Sequence, residues 1–278
     1  MTIAITGATG QLGRLAVAAL KARGVTPIAL VRSPAKATDL GVPVRAFDYT
    51  AADPAALAGV DTLVLISSND FNDRAGQHRK VIDAAKAAGV KRIVYTSLLK
   101  ADTGGMKLAE DHLATEAALK ASGIPATVLR NGWYIENQTA GLAGAIAAGA
   151  LIGASGQGRI SGATRADFAE AIAAVATGSG HAGQVYELGG DEAYSAADLA
   201  AEVSRQTGKA IGYNDMPPAQ YAAVLQSFGL PEAFAGILAD SDVQASKGAL
   251  FDDSRTLSRL IGRPTTPLKD AVAAALKG

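Results

Sequence analysis

The stretch Thr2-Ile3-Ala4-Ile5-Thr6, followed at once by Gly7-Ala8-Thr9-Gly10-Gln11-Leu12-Gly13, decides how the rest of the chain reads. The first five residues form a short β-branched, apolar run, the pattern of a buried strand. Residues from about 11 to 23 keep helical spacing. The glycines between strand and helix are spaced G-x-x-G-x-x-G, not the G-x-G-x-x-G of the standard dinucleotide fingerprint. The physical demands are the same. Gly7 permits a sharp turn, Gly10 lets backbone approach a pyrophosphate, and Gly13 lets the helix pack close to the sheet. Free amides at the helix start, at the positive end of its dipole, hold phosphates. Gly7, Ala8, Thr9, Gly10, Gln11, Leu12 and Gly13 are therefore the candidate phosphate-binding residues.

Working outward, strands are predicted at Ile3–Ile5, Pro27–Val31, Val42–Phe47, Thr62–Ile66, Arg92–Thr96 and Thr127–Leu129. Helical patterns fall between them at about 11–23, 53–59, 73–88 and 106–122. Gly24, Gly41, Gly89 and Gly123 sit where helices should stop. Strands apolar on both faces and separated by helices imply a parallel sheet covered on both sides, a doubly wound α/β fold. Ala166–Thr177 reads as a helix and Gln184–Leu188 as a strand able to return to the sheet. From Ser195, an N-cap with Asp198 three residues on, the chain reads as mostly helical. The expected division is a Rossmann domain of residues 1–132 plus 164–190, with a smaller lobe of 133–163 plus 191–278 on the substrate side.

The end of the second strand selects the cofactor. An enzyme using NAD usually carries Asp or Glu there for the ribose 2′-hydroxyl. Here Ile28-Ala29-Leu30-Val31 runs into Arg32 and Ser33, with Lys36 close behind and no carboxylate before Asp39. A guanidinium at that place can grip a 2′-phosphate, so NADP (as NADPH) is the expected cofactor. A solvated surface charge is the bland alternative. Asp48, closing the third strand, is placed to accept from the adenine amino group or to cap a helix.

Composition excludes several classes. Among 278 residues, Lys+Arg and Asp+Glu balance at 26 each, without the basic excess of a duplex-DNA binder. There is no cysteine, hence no disulfide, thiolate metal site or cysteine nucleophile. The three histidines make no ligand pair at helical spacing, so no metal is expected. The uncharged run Ala140–Ala154 is shorter than the roughly 20 apolar residues of a membrane span and is glycine-rich; it reads as a buried or pocket-lining helix and a turn. With no signal-peptide pattern at the start, the expected compartment is cytoplasmic.

Several segments together carry a resemblance. They are V-R-S-P-A-K at 31–36, L-I-S-S at 65–68, Y-T-S-L-L at 95–99 and L-R-N-G-W-Y-I-E-N at 129–137, with S-G-A-T-R-A-D-F at 161–168 and S-K-G-A-L-F-D-D-S at 246–254. With the glycine turn, they resemble the NmrA-like, atypical short-chain dehydrogenases from end to end, among them bacterial NADPH:quinone reductases and triphenylmethane-dye reductases. The resemblance implies a Rossmann fold and NADPH-dependent hydride transfer to a small quinone-like acceptor, without metal or flavin. It places pyrophosphate at Gly7–Gly13 and the 2′-phosphate at Arg32. Ser67, Ser68 and Ser97 would line the cofactor groove, and the loop 131–137, beginning with Asn131, would approach nicotinamide and substrate.

The chain departs from ordinary short-chain dehydrogenases in lacking their Tyr-x-x-x-Lys pair. Leu108 stands at the tyrosine place and His112 at the lysine place. Alcohol–ketone interconversion loses its acid, whereas a reduced quinone leaves as an aromatic anion that water can protonate. His112 is a candidate for orienting the cofactor or supplying a proton, or is a satisfied helix histidine; His78 reads as structural. Trp133 and Tyr134 form a substrate wall or pack as core, and Asn137 is a candidate contact to a bound carbonyl. The pair Asp252-Asp253 reads as helix capping. Reduction of triphenylmethane or azo dyes, and a non-catalytic NADP-binding sensor, are the competing functions. Monomer and homodimer both remain open.

Overall fold

Ile3–Thr6 (β1) is buried at every position, as an interior strand covered on both faces must be. In the computed structural model, which describes residues 1–277, β1 turns through Gly7 into the helix Gln11–Ala22 (α1). There follow Ile28–Val31 (β2), Val44–Ala46 (β3), Thr62–Leu65 (β4), Arg74–Ala87 (α2), Arg92–Leu98 (β5), Glu110–Ser122 (α3) and Ala126–Asn131 (β6). The second half holds Ile135–Thr139 (α4), Leu142–Ala148 (α5), Ala150–Gly153 (β7), Arg165–Thr177 (α6), Val185–Leu188 (β8) and Ala196–Thr207 (α7). Gly212–Asp215 (β9), Pro218–Ser227 (α8), Glu232–Ser246 (α9), Thr256–Ile261 (α10) and Leu268–Ala275 (α11) complete it.

Seven strands form one parallel sheet in the order β3-β2-β1-β4-β5-β6-β8. Chain direction across the sheet reverses between β1 and β4, and ligands of such sheets bind beyond the carboxyl ends of the strands at that point. Side chains alternate between two cores, as the period of a strand requires. Ile3, Ile5, Ala29, Val31, Val64, Val94 and Leu129 face α1 and α6, while Ala4, Leu30, Leu63, Leu65, Ile93, Tyr95 and Val128 face α2 and α3. This is the predicted doubly wound Rossmann fold with a mostly helical C-terminal region.

The structure differs from the sequence reading in three places. The uncharged run at 140–154 is not only helix and turn: α5 ends at Gly149, with φ +74°, and β7 then pairs in parallel with β9. The partner strand lies some 60 residues away, so no local pattern announces it. The helix expected at 53–59 is a short 3₁₀ turn, Pro54–Leu57, opened by Asp53 accepting from Ala55 N at 2.9 Å. A third core gathers Ile135, Leu142, Tyr194, Leu199, Val203, Ile211 and Val272, but Leu257 and Ile261 of α10 join the core beside α6 instead. Ser195 caps α7 in a reciprocal box with Asp198, as the sequence indicates. Among the described residues no helix is long and apolar enough to cross a membrane.

Candidate functional site

The glycine turn lies at the carboxyl end of β1, beside the reversal point. Gly7 has φ +60°, which a side chain would disfavour, and its carbonyl accepts from Gly10 N at 2.9 Å. Gly13 sits so close to this turn that a Cβ would fall 2.1 Å from the Gly7 carbonyl oxygen and 2.8 Å from Ala8 Cα. Gly10 differs. It has extended backbone at the N-cap of α1, and a Cβ there would meet only the Gly7 oxygen, at 3.2 Å. No side chain caps α1 and no acid occupies its first turn, so its amides stand open. Thr9, Gly10 and Gln11 are exposed, while the side chains of Ala8 and Leu12 are buried in the core and leave only backbone to a ligand.

At the ends of β2 and β3, Arg32 is exposed, and among the described residues no carboxylate pairs with it. Asp48 caps the following turn: its Oδ1 accepts from Thr50 N and from the Thr50 hydroxyl, both at 2.8 Å. Those bonds, and next the charge of Arg32, hold its carboxyl below the usual range. The capping alternative for Asp48 is thus the one the structure displays. Arg14 and Asp39 form an exposed ion pair nearby.

Beyond β4 and β5 the chain is tied by a dense set of bonds. His78 Nε2 accepts from Ser68 N at 2.9 Å, which fixes the proton on Nδ1, the nitrogen lying 2.9 Å from the Thr115 hydroxyl. The Ser68 hydroxyl donates to Gln77 Oε1 at 2.7 Å, and Gln77 Nε2 donates to Asp70 Oδ2 at 2.6 Å. Ser97 Oγ donates to Glu116 Oε1 at 2.6 Å. The hydroxyls of Ser68 and Ser97 both donate to the protein's own helices. Ser67 N donates to Thr96 Oγ1 at 2.9 Å. Glu116 also takes a bidentate pair of bonds from Arg130 on β6, at 3.0 and 2.8 Å, and Arg130 reaches Glu187 and Asp102 as well. This hub locks α3, β6 and β8 together.

His112 is buried, with Nδ1 2.8 Å from the hydroxyl of the fully buried Tyr95. Burial, then the nearby charge of Arg74, holds its imidazole down to about 3. It is neutral at physiological pH, and its bond to Tyr95 ties α3 to β5. His78 is held down to about 3 by the same two causes. Asn137 is exposed on α4, with its Oδ1 accepting from Arg165 Nη2 at the start of α6. Trp133 is half-buried and packs on the cluster of Leu98, Met106 and Leu250. Tyr134 lies edge-on to Phe168, 5.2 Å between ring centroids, with the Arg165 guanidinium 4.8 Å over its face.

Among the described residues four side-chain atoms are buried without a hydrogen-bond partner: Asn131 Oδ1 at the end of β6, Arg74 Nη1 at the start of α2, Glu136 Oε2 on α4 and Asp191 Oδ1 just past β8. Buried polar groups are nearly always satisfied, so unmade bonds here mark places where a ligand can complete them. An open amide turn, an unpaired guanidinium at the end of β2 and an orphaned acceptor at Asn131 fit a dinucleotide lying across the strand ends. Arg74 escaped the sequence reading because an arginine in the first turn of a polar helix resembles a surface charge. Only its neighbours in space, Phe71 and Ser68, show otherwise.

A profile described as NAD(P)H-binding matches residues 7–178. The chain is 54% identical to Quinone oxidoreductase 2 of Escherichia coli (strain K12), over 98% of this chain and 97% of that protein. Its fold superposes on an E. coli NADPH-dependent quinone oxidoreductase crystallised with NADPH, with TM-score 0.96 and 53% identity, covering 99% of this chain and 100% of that one. The Citrobacter sp. triphenylmethane reductase matches with TM-score 0.92 and 36% identity over the whole of both chains.

Proposed function

The chain belongs to the NAD(P)H-binding family, in its NmrA-like branch, and from that membership we propose that it is an NADPH-dependent quinone reductase. The single observation that carries the reading is the pairing of an uncapped amide turn at Gly7–Gly13 with an unpartnered Arg32 one strand away. The turn binds pyrophosphate through the first amides of α1, and Arg32 binds the 2′-phosphate that distinguishes NADPH from NADH. Asn131 accepts from the nicotinamide end through its orphaned oxygen. NADPH supplies the hydride, two electrons with one hydrogen, to a small quinone, and the resulting hydroquinone anion takes its proton from water. We take residues 1–132 plus 164–190 as the nucleotide-binding part and 133–163 plus 191–278 as the acceptor side.

The residues present suit this acceptor better than a ketone. Tyr95, the tyrosine nearest α3, is fully buried and bonded to His112, and burial raises its hydroxyl well above the ordinary range. It is not an acid for an alkoxide. The chain's task is then to fix the two rings in contact, with hydrogen-bond donors near the oxygen that gains charge. Mixing protein, NADPH and a simple benzoquinone and following loss of the reduced nicotinamide absorbance tests the reading. Binding of NADPH without turnover of any quinone or dye would leave a sensor and overturn it.

A further inference from the structure

Arg74 opens α2, and its surroundings are not those of a structural arginine. The residue is only 5% exposed. Its Nε donates to the Ser68 carbonyl at 2.7 Å, just past the end of β4. Nη1 is sealed from solvent with no acceptor, and among the described residues no carboxylate lies within ion-pair distance of the guanidinium. Asp111 and Asp70 act on it only from farther away, and burial draws its pKa down. A buried cation with an unmade bond is among the least favourable arrangements a fold can keep.

What covers it is equally specific. The Phe71 ring lies over the guanidinium, 4.5 Å from ring centroid to the central carbon, and Phe234 of α9 packs on Phe71 at 5.0 Å between centroids. Phe71 itself is 40% exposed and sits in the connection between β4 and α2. Three flat groups are thus layered at the carboxyl edge of the sheet: a cation, a half-exposed ring, and a ring from the C-terminal helices. The layer stands past the carboxyl end of β4, on the same edge of the sheet as the glycine turn after β1 and Asn131 at the end of β6. The guanidinium charge is also felt at His78 and His112.

We propose that Arg74 is a catalytic residue of the acceptor site, donating a hydrogen bond from Nη1 to the quinone oxygen that becomes negative, with Phe71 as the cover that yields to the incoming ring. The proposal rests on the quinone-reductase reading above. As the quinone takes up a hydrogen with its electron pair from C4 of the dihydronicotinamide, the C4–H bond breaks and the ring becomes a hydroquinone monoanion. The charge collects on one oxygen, which Nη1 stabilises until water protonates it. A flat aromatic acceptor can replace the Phe71 ring against the guanidinium face and keep the cation–π contact while completing the missing bond.

The test uses the full chain with Arg74→Met and Phe71→Ala and a series of benzoquinones whose hydroquinones span a range of acidity. Wild-type kcat/KM should depend weakly on that acidity. Arg74→Met should fall by roughly 10²–10³-fold, most for the least acidic hydroquinones, while NADPH affinity holds. Added guanidinium should restore part of the rate in Arg74→Ala. Apart from turnover, 4-nitrophenol serves as a probe: bound to the wild type it should ionise at lower pH than in solution, and Arg74→Met should abolish the shift. Phe71→Ala, which keeps the Arg74–Ser68 bond, should speed 4-nitrophenolate binding and carries the test if Arg74→Met does not fold. An equal loss across all quinones, or a loss matched by weaker NADPH binding, overturns the proposal, as does a nitrophenol ionisation indifferent to Arg74. Absence of turnover in the wild type would instead overturn the reductase reading, and the nitrophenol arm would still judge Arg74.

Discussion

Gly10 and Gly13 belong to one motif, yet the structure assigns them opposite kinds of necessity, and alanine at each separates them. At Gly13 the new Cβ would lie 2.1 Å from the Gly7 carbonyl oxygen and 2.8 Å from the carbonyl carbon. Both belong to backbone held between β1 and α1, and an ordinary contact needs well over an ångström more. Relief requires α1 to lift from the sheet, opening the core that Leu12, Ala16, Val17 and Leu20 fill. Overpacking of this kind costs about 3 kcal/mol or more, which in a chain of this size lowers Tm by roughly 5–10 °C. At Gly10 the Cβ meets one oxygen at 3.2 Å in extended backbone, so the fold loses no more than about 1 kcal/mol. That Cβ stands where the pyrophosphate must approach, and losing one or two charge-assisted amide bonds weakens NADPH by about 10- to 100-fold or more. Thermal unfolding without ligand and NADPH titration, run on both variants, give four numbers. A Gly13→Ala protein as stable as wild type, or a Gly10→Ala protein with unchanged NADPH affinity, would refute the geometry.

Three further outcomes follow from described contacts. Arg32→Ala should weaken NADPH by about 10- to 100-fold and spare NADH, from a charge-assisted bond of roughly 1.5–3 kcal/mol; equal losses for both nucleotides in a binding assay would make Arg32 structural. Arg130→Met strands Glu116, whose side chain is 15% exposed, and should destabilise by about 3–5 kcal/mol in urea unfolding; a change below 1 kcal/mol would deny the hub. His78 and His112 are held neutral with lowered pKa, so the unfolded chain binds more protons below about pH 6.5. Their stabilisation is complete above that pH and is lost toward pH 3, at up to about 1.4 kcal/mol per unit for each. Unfolding free energies that stay level between pH 7 and pH 5 would contradict this.

The sequence-readable part of the molecule is the part whose determinants are local. Strand, glycine turn and helix at 2–22 announce themselves through spacing, and the Arg32 position follows from counting to the end of the next strand. The Ser195–Asp198 box is likewise contained in four residues. What escaped depends on contacts across the chain. β7 is a strand only because β9 lies beside it. The hydroxyls of Ser68 and Ser97 are held by Gln77 and Glu116 of the adjoining helices, partners that no local pattern announces. His112 looks titratable until Tyr95 and Arg74 are placed against it. Arg74 itself has no signature at all, because burial of a helix-initiating arginine is decided by a phenylalanine three residues earlier and another on α9.

The place of α10 bears on how the chain is made. Leu257 and Ile261 complete a core whose other members, from Ile3 to Leu188, are all translated earlier. A nascent chain that has emerged only as far as α9 therefore carries the whole parallel sheet but leaves the outer flank of α6 uncovered. Parallel strands already close slowly, since every pairing spans a crossover, and this one apolar flank stays available to neighbours until α10 has emerged. Ribosome-bound chains ending near residue 250 should accordingly be held by chaperones and cut readily by protease, whereas chains reaching residue 262 and clear of the exit tunnel should resist both.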